Sequence, residues 1–167
     1  MVRRLALHKV KVQALAFSPS GKYLASLGGE DDNAVIVWYV QHQHQLSFNR
    51  DMQLYAAICG SPASSDSSGV TLALAYLHES DTQFVTGGAG TLRVWELNPE
   101  KRKIRATDCQ TGQIKRIVKC IAVDEKDEFM YCGTTTGDVL QVSLQSKLFK
   151  RSGPPKEKVF HSKDKTN

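Results

Sequence analysis

The stretch Val12 to Trp38, VQALAFSPSGKYLASLGGEDDNAVIVW, decides how this chain is read, because its layout recurs twice. Val70 to Trp95 reads VTLALAYLHESDTQFVTGGAGTLRVW, and Ile117 to Val142 reads IVKCIAVDEKDEFMYCGTTTGDVLQV. Each unit is an apolar run, a polar turn, a second run ending in Gly or small residues, another polar turn, and a run closing on Trp or Val. Short β-branched and aromatic runs bounded by turn residues are strands, so every unit predicts three antiparallel strands. From the end of the first run to the closing residue there are 19 residues in the second unit (Tyr76 to Trp95) and 19 in the third (Val123 to Val142), against 21 in the first (Phe17 to Trp38). The two additional residues fall in the Gly-Gly-Glu-Asp-Asp-Asn turn, where length costs little. A turn-forming residue stands five positions before each closing residue (Asn33, Gly90, Gly137), which predicts one hairpin shape for all three.

Working outward, the closing residues lie 57 positions apart (Trp38 to Trp95) and then 47 (Trp95 to Val142), whereas a WD40 blade repeats roughly every 40–45. The pattern resembles the WD40 repeat, and the fold class expected is all-β: a partial WD40 β-propeller of about three blades, each an antiparallel four-stranded sheet. Blades stack face to face, so their strands are buried on both sides. The runs Ala14-Leu15-Ala16-Phe17 and Leu72-Ala73-Leu74-Ala75-Tyr76 fit that expectation, with small Ala residues suited to the crowded inner strands. Outermost strands are expected from connecting segments, for example Ile104 to Asp108. Residues 1–150 form the expected propeller segment, with units near 8–40, 70–108 and 115–145. Residues 41–69 are expected to be a polar insertion, containing QHQHQ and SPASSDSSG and little strand pattern beyond Leu54 to Ile58.

The formal net charge of +5 is unevenly distributed. Residues 147–167 hold seven Lys or Arg against two acids, whereas residues 1–146 balance 15 against 15. With Gly153, Pro154 and Pro155 and few large apolar residues, residues 151–167 are expected to be a disordered basic tail. A neutral folded part argues against a nucleic-acid partner; Lys101-Arg102-Lys103-Ile104-Arg105 is its one basic cluster. No run approaches the roughly 18 apolar residues of a membrane helix, and Met1 to Leu7 lacks the layout of a secretory signal. Cys59, Cys109, Cys120 and Cys132 show no metal-binding or disulfide spacing, which favours a reducing compartment. Cys120 and Cys132, inside β-runs, are read as small buried hydrophobes.

The sequence offers little catalytic chemistry. Gly21-Lys22 lacks the upstream Gly of a phosphate loop, and Gly87-Gly88-Ala89-Gly90 lacks the third Gly and following helix of a dinucleotide site. His42 and His44 alternate, yet no carboxylate or Cys follows at ligand spacing, so a Gln/His loop is preferred over a metal site. Neither G-x-S-x-G nor H-E-x-x-H occurs, and clusters such as Asp124-Glu125-Lys126-Asp127-Glu128 read as solvated turns. Expected, then, are no enzymatic activity, no cofactor, no metal and no small-molecule substrate. The WD40 resemblance implies a structural role for His8, Asp32, Trp38 and Trp95: a buried Asp bonds a His that is tied to a Ser or Thr and the Trp. Units two and three carry Ala89 and Thr136 where unit one has Asp32, and are expected to be looser or held by blade packing alone.

More specific phrases point further. HKVKVQALAFSPSGKYLASLGGEDD with AVIVW, then AICGSPA, GTLRVWEL, DCQTGQIKRIV and GTTTGDVL, resemble the N-terminal propeller of the cilia- and flagella-associated WD-repeat proteins, over about residues 8–40 and 57–150. The resemblance implies a non-enzymatic inner protein of axonemal doublet microtubules. It implies tubulin and other axonemal microtubule inner proteins as partners, a cytoskeletal location in the cilium or flagellum, and no membrane partner. The basic Lys101 to Arg105 run could meet acidic tubulin surfaces. A general cytosolic WD40 adaptor for peptide partners is the other reading. Members of that family are long, two-propeller chains, so a fragment, a truncated isoform or a gene-model error is expected here. Three blades do not close a ring, and their open faces predict a chain that is aggregation-prone or partly molten when expressed alone.

Overall fold

A computed structural model describes residues 7–41, 53–64 and 69–153, and these form twelve strands in three four-stranded antiparallel sheets. Blade one contains β1 (Val12–Phe17), β2 (Tyr23–Gly28), β3 (Ala34–Gln41) and β4 (Gln53–Pro62) in that spatial order. Blade two repeats it with β5 (Thr71–Tyr76), β6 (Gln83–Gly88), β7 (Leu92–Asn98) and β8 (Lys103–Asp108). Blade three does so with β9 (Val118–Val123), β10 (Phe129–Thr134), β11 (Val139–Ser143) and β12 (Phe149–Ser152).

The registers show that the three units are one motif. Phe17 opposes Leu24, which opposes Trp38; Tyr76, Phe84 and Trp95 stand in the same relation, as do Val123, Met130 and Val142. Each blade carries an irregularity at the same place, early in its innermost strand. The three turn residues five positions before the closing residue share a left-handed backbone: Asn33 at φ 39°, Gly90 at 66° and Gly137 at 83°. Only Gly and, less readily, Asn or Asp adopt that conformation cheaply, which is why the turn chemistry repeats where side chains do not.

Because side chains alternate across a strand, every blade has two different faces. Tyr23, Ala25, Leu27, Val35 and Val37 of blade one meet Tyr76, Phe84, Trp95 and Leu97 of blade two. Val85, Leu92 and Val94 on the other side of blade two meet Met130, Cys132, Leu140 and Val142 of blade three. Phe84 stacks on Trp95, with ring centroids 5.8 Å apart and planes 6° from parallel, and both are fully buried. Burying a side chain of this size stabilises the fold by roughly 1.5–3 kcal/mol, so the junctions between blades hold most of the cohesion.

Three expectations differ from what is observed. The stretch 41–69 is not only an insertion: its Gln53–Pro62 is β4, paired with β3 from Ala34↔Pro62 to Gln41↔Gln53. Its strand character is hidden because an outermost strand needs no apolar alternation. His42 and His44 lie outside the described residues. Second, the run Ala14 to Phe17 is not buried on both faces, since Leu15 is 61% and Phe17 49% exposed. Their side faces away from blade two, and no described sheet packs against β1 there. Third, β12 continues to Ser152, past the expected boundary at 150/151; residues 154–167, most of the expected tail, lie outside the described residues.

Candidate functional site

The candidate site is a chain of hydrogen bonds inside blade one. Ser26, in the middle of β2, lies on the same face as Leu24 and Trp38. The Trp38 indole N–H donates to Ser26 Oγ at 2.8 Å, and Ser26 Oγ lies 2.7 Å from His8 Nε2. On the other side of the ring, His8 Nδ1 donates to the Asp32 carboxylate. The second Asp32 oxygen accepts the Lys9 backbone N–H at 3.1 Å. With the Nδ1-protonated tautomer the donors run in one direction, indole to hydroxyl to imidazole to carboxylate, and no polar atom of the chain is wasted. The His8 and Asp32 side chains are 6% and 4% exposed. Burial alone would raise the Asp32 carboxyl, but the bonds from His8 and the Lys9 amide outweigh it, and the group sits below its ordinary value. Gly28 makes the approach possible, since a Cβ there would fall 2.1 Å from Asp32 Oδ2 and 2.8 Å from His8 Nδ1.

The arrangement has the connectivity of a nucleophilic triad, Ser26 to His8 to Asp32. It lacks a triad's access. Ser26 is 2% exposed and its oxygen already receives the Trp38 N–H, so the hydroxyl meets no substrate and the geometry serves packing. Among the described residues no group of three or more His, Cys, Asp or Glu could hold a metal ion.

The relay shortens from blade to blade. In blade two Thr86 occupies the Ser26 position and accepts the Trp95 N–H at 2.8 Å. In blade three the same places hold Cys132 and Val142, both fully buried and wholly apolar in their packing. Cys132 behaves as the expected small hydrophobe, its thiol pushed up to about 12 by burial. Cys120 does not: it is exposed, because it lies on the side of β9 away from blade two. Blade two, with no Asp at the Asp32 position, is not held by blade packing alone, since the Trp95 indole bonds Thr86 within it.

Sequence reading also passed over a clasp between neighbouring turns. Asp81, in the β5–β6 turn of blade two, accepts the Ser20 backbone N–H at 2.9 Å and its hydroxyl at 2.6 Å. Those bonds, the Ser20 hydroxyl foremost, hold the Asp81 carboxyl below its ordinary value. Asp127 of blade three does the same to blade two, accepting the backbone N–H groups of His78 at 2.8 Å and Glu79 at 2.7 Å. Asp124 accepts from Glu128 and Phe129 within its own turn. The acids of the 124–128 cluster are therefore partly structural and not merely a solvated face. In the basic cluster, Arg102 donates to the Ala57 carbonyl of β4 at 3.3 Å, while Lys103 and Arg105 are exposed.

Three four-stranded sheets wedged face to face, with a Trp–Ser–His–Asp relay in the first, define a WD-repeat β-propeller segment. Residues 1–39 match the family described as WD domain, G-beta repeat. The chain is similar along nearly its whole length to Cilia- and flagella-associated protein 52: it is 48% identical to the Homo sapiens protein over 158 residues, covering 95% of this chain and 24% of that one. Against the Chlamydomonas reinhardtii protein of the same name it is 43% identical over 159 residues, covering 95% and 23%. Centriole proteome protein 16 of Chlamydomonas reinhardtii is 33% identical over 125 residues, 72% of this chain and 5% of that one. The chain thus spans about a quarter of the length of the curated relatives it matches first.

Proposed function

We propose that this chain is a non-enzymatic structural and interaction element of motile cilia and flagella, acting on axonemal doublet microtubules as a stabilising inner protein. The observation that carries this reading is the similarity to Cilia- and flagella-associated protein 52 over 95% of the chain. The Trp38–Ser26–His8–Asp32 relay supports it, being enclosed within a blade, which leaves turns and sheet edges as the surfaces offered to others. The expected partners are tubulin and other inner proteins of the doublet, met by turns held rigid through the Ser20–Asp81 and Asp127 clasps. The exposed Lys103 and Arg105 on β8 supply positive charge that suits an acidic tubulin surface. Fractionation of ciliated cells expressing the tagged protein tests it: retention on demembranated axonemes through a high-salt wash is expected. Release with the detergent-soluble fraction would contradict it and favour a cytosolic WD40 adaptor.

A further inference from the structure

Three of the phrases that carry the family resemblance meet at one place. GTLRVWEL supplies Thr91 and Leu92, DCQTGQIKRIV supplies the connection from β8 to β9, and GTTTGDVL supplies Asp138 and Leu140. A cavity of about 420 Å³ lies where they meet, at the junction of blades two and three. Leu92, Val118 and Leu140 give it an apolar floor, and the connection forms its wall, with Lys115 and Arg116 exposed at the rim. The connection is fastened at three points. The Cys109 N–H donates to the Leu92 carbonyl at 2.8 Å, Gln110 exchanges backbone bonds with Lys147 and Phe149, and Arg116 Nε donates to Asp138 at 2.9 Å. The cavity therefore exists before any ligand arrives, which lowers the cost of binding. On its wall Thr91 is buried, and its hydroxyl has no hydrogen-bond partner among the described residues. Such an unmet group is one that a ligand or a water satisfies.

Charge decides what fits. Asp108 also lines the cavity, but the Arg93 guanidinium holds its carboxylate at 2.6 Å. Asp138 is likewise matched by Arg116. Lys115 has no ion pair among the described residues, so the mouth carries one uncompensated positive charge. We propose that, given the reading of this chain as an interaction element, the cavity receives a segment of a partner protein in which an acidic residue adjoins an apolar one. The apolar side chain rests on Leu92, Val118 and Leu140, and the neighbouring carboxylate meets Lys115. The volume is at the small end of the roughly 300–1,000 Å³ of ligand pockets, which suits a pair of side chains. A basic segment would bring like charge to Lys115 and Arg116, a mismatch that costs affinity and slows encounter.

Fluorescence anisotropy tests this on the full 167-residue chain with three labelled peptides, in which Leu alternates with Glu, with Gln or with Lys. The Glu peptide is expected to bind saturably, and the other two several-fold more weakly. Lys115→Glu, at an exposed position, is expected to weaken the Glu peptide several-fold and to strengthen the Lys peptide, with the far-ultraviolet dichroism unchanged. Lys103→Glu makes the same charge change at the opposite end of β8 from Asp108 and is expected to leave every affinity as it was. No preference among the peptides, a preference that survives Lys115→Glu, or an equal loss with Lys103→Glu would overturn the assignment. Peptide binding is read on the chain in solution, so its failure overturns the cavity's role alone. Release from axonemes contradicts the ciliary reading, and peptide binding that persists in that case still supports the cavity.

Discussion

Gly28 leaves no room for a side chain beside the relay. Gly28→Ala would drive Asp32 and His8 apart and is expected to cost about 2–3 kcal/mol, the range for stranding buried polar groups. Gly60→Ala, whose Cβ would meet only ordinary contacts at 3.5 Å, is expected to change stability by less than about 1 kcal/mol, and denaturant midpoints of the two variants make the comparison. Asp32 also sets an acid limb. Its folded value is depressed, so its contribution is complete above the unfolded carboxylate value of about 3.9 and is lost as pH falls through the lower folded value. The stability gap between the unaltered chain and Asp32→Asn should therefore narrow as pH drops below about 4, as midpoints measured across that range would show. Thiol labelling reads the same burial: the exposed Cys120 should react first, and Cys132, fully buried with its thiol near 12, only on global unfolding. His8, Asp32 and Trp38 could be picked out of the sequence because their types and order carry a pattern. Ser26 and Gly28 could not, since one Ser among many and one Gly at a strand end acquire their roles only when β2, β3 and the segment before β1 converge.

At the scale of the element, the clasps decide how firmly one blade holds the next. Asp127→Ala removes two charge-assisted acceptors from the His78 and Glu79 amides and is expected to destabilise the chain by about 1–2 kcal/mol at this partly exposed site. Amide exchange should quicken in both the 77–82 and the 124–128 turns, while the 18–22 turn, held by Asp81, stays as it was. Equal exchange in all three turns would mean that the clasp carries no load. The three inner strands of each blade were legible because apolar runs, turn residues and closing aromatics recur in register. Outer strands are legible only where they keep a pattern: Ile104 to Asp108 lies within β8, whereas β4 shows a strand pattern in the sequence only over Leu54 to Ile58. QLYAAICGSP mixes small, polar and apolar residues because an edge strand pairs through its backbone along one side only. The exposure of Leu15 and Phe17 was illegible for a different reason, since a strand sequence states what a face can bury and not whether a neighbour stands there.

Across the whole molecule, the blades form an arc in which cohesion resides at two junctions and each blade repeats the last with altered chemistry. The relay is polar in blade one, a single Trp95–Thr86 bond in blade two, and apolar at Cys132 and Val142 in blade three. The register is kept throughout, so the backbone motif and the inter-blade wedge define the fold, and the relay is one of several ways to fill it. Hydrogen exchange read by peptide along the chain tests this most directly. Three separate maxima of protection are expected, centred on β2–β3, β6–β7 and β10–β11, with minima at the intervening turns and at the outer strands β4, β8 and β12. One continuous protected block, or protection confined to residues 71–98, would contradict three repeated blades.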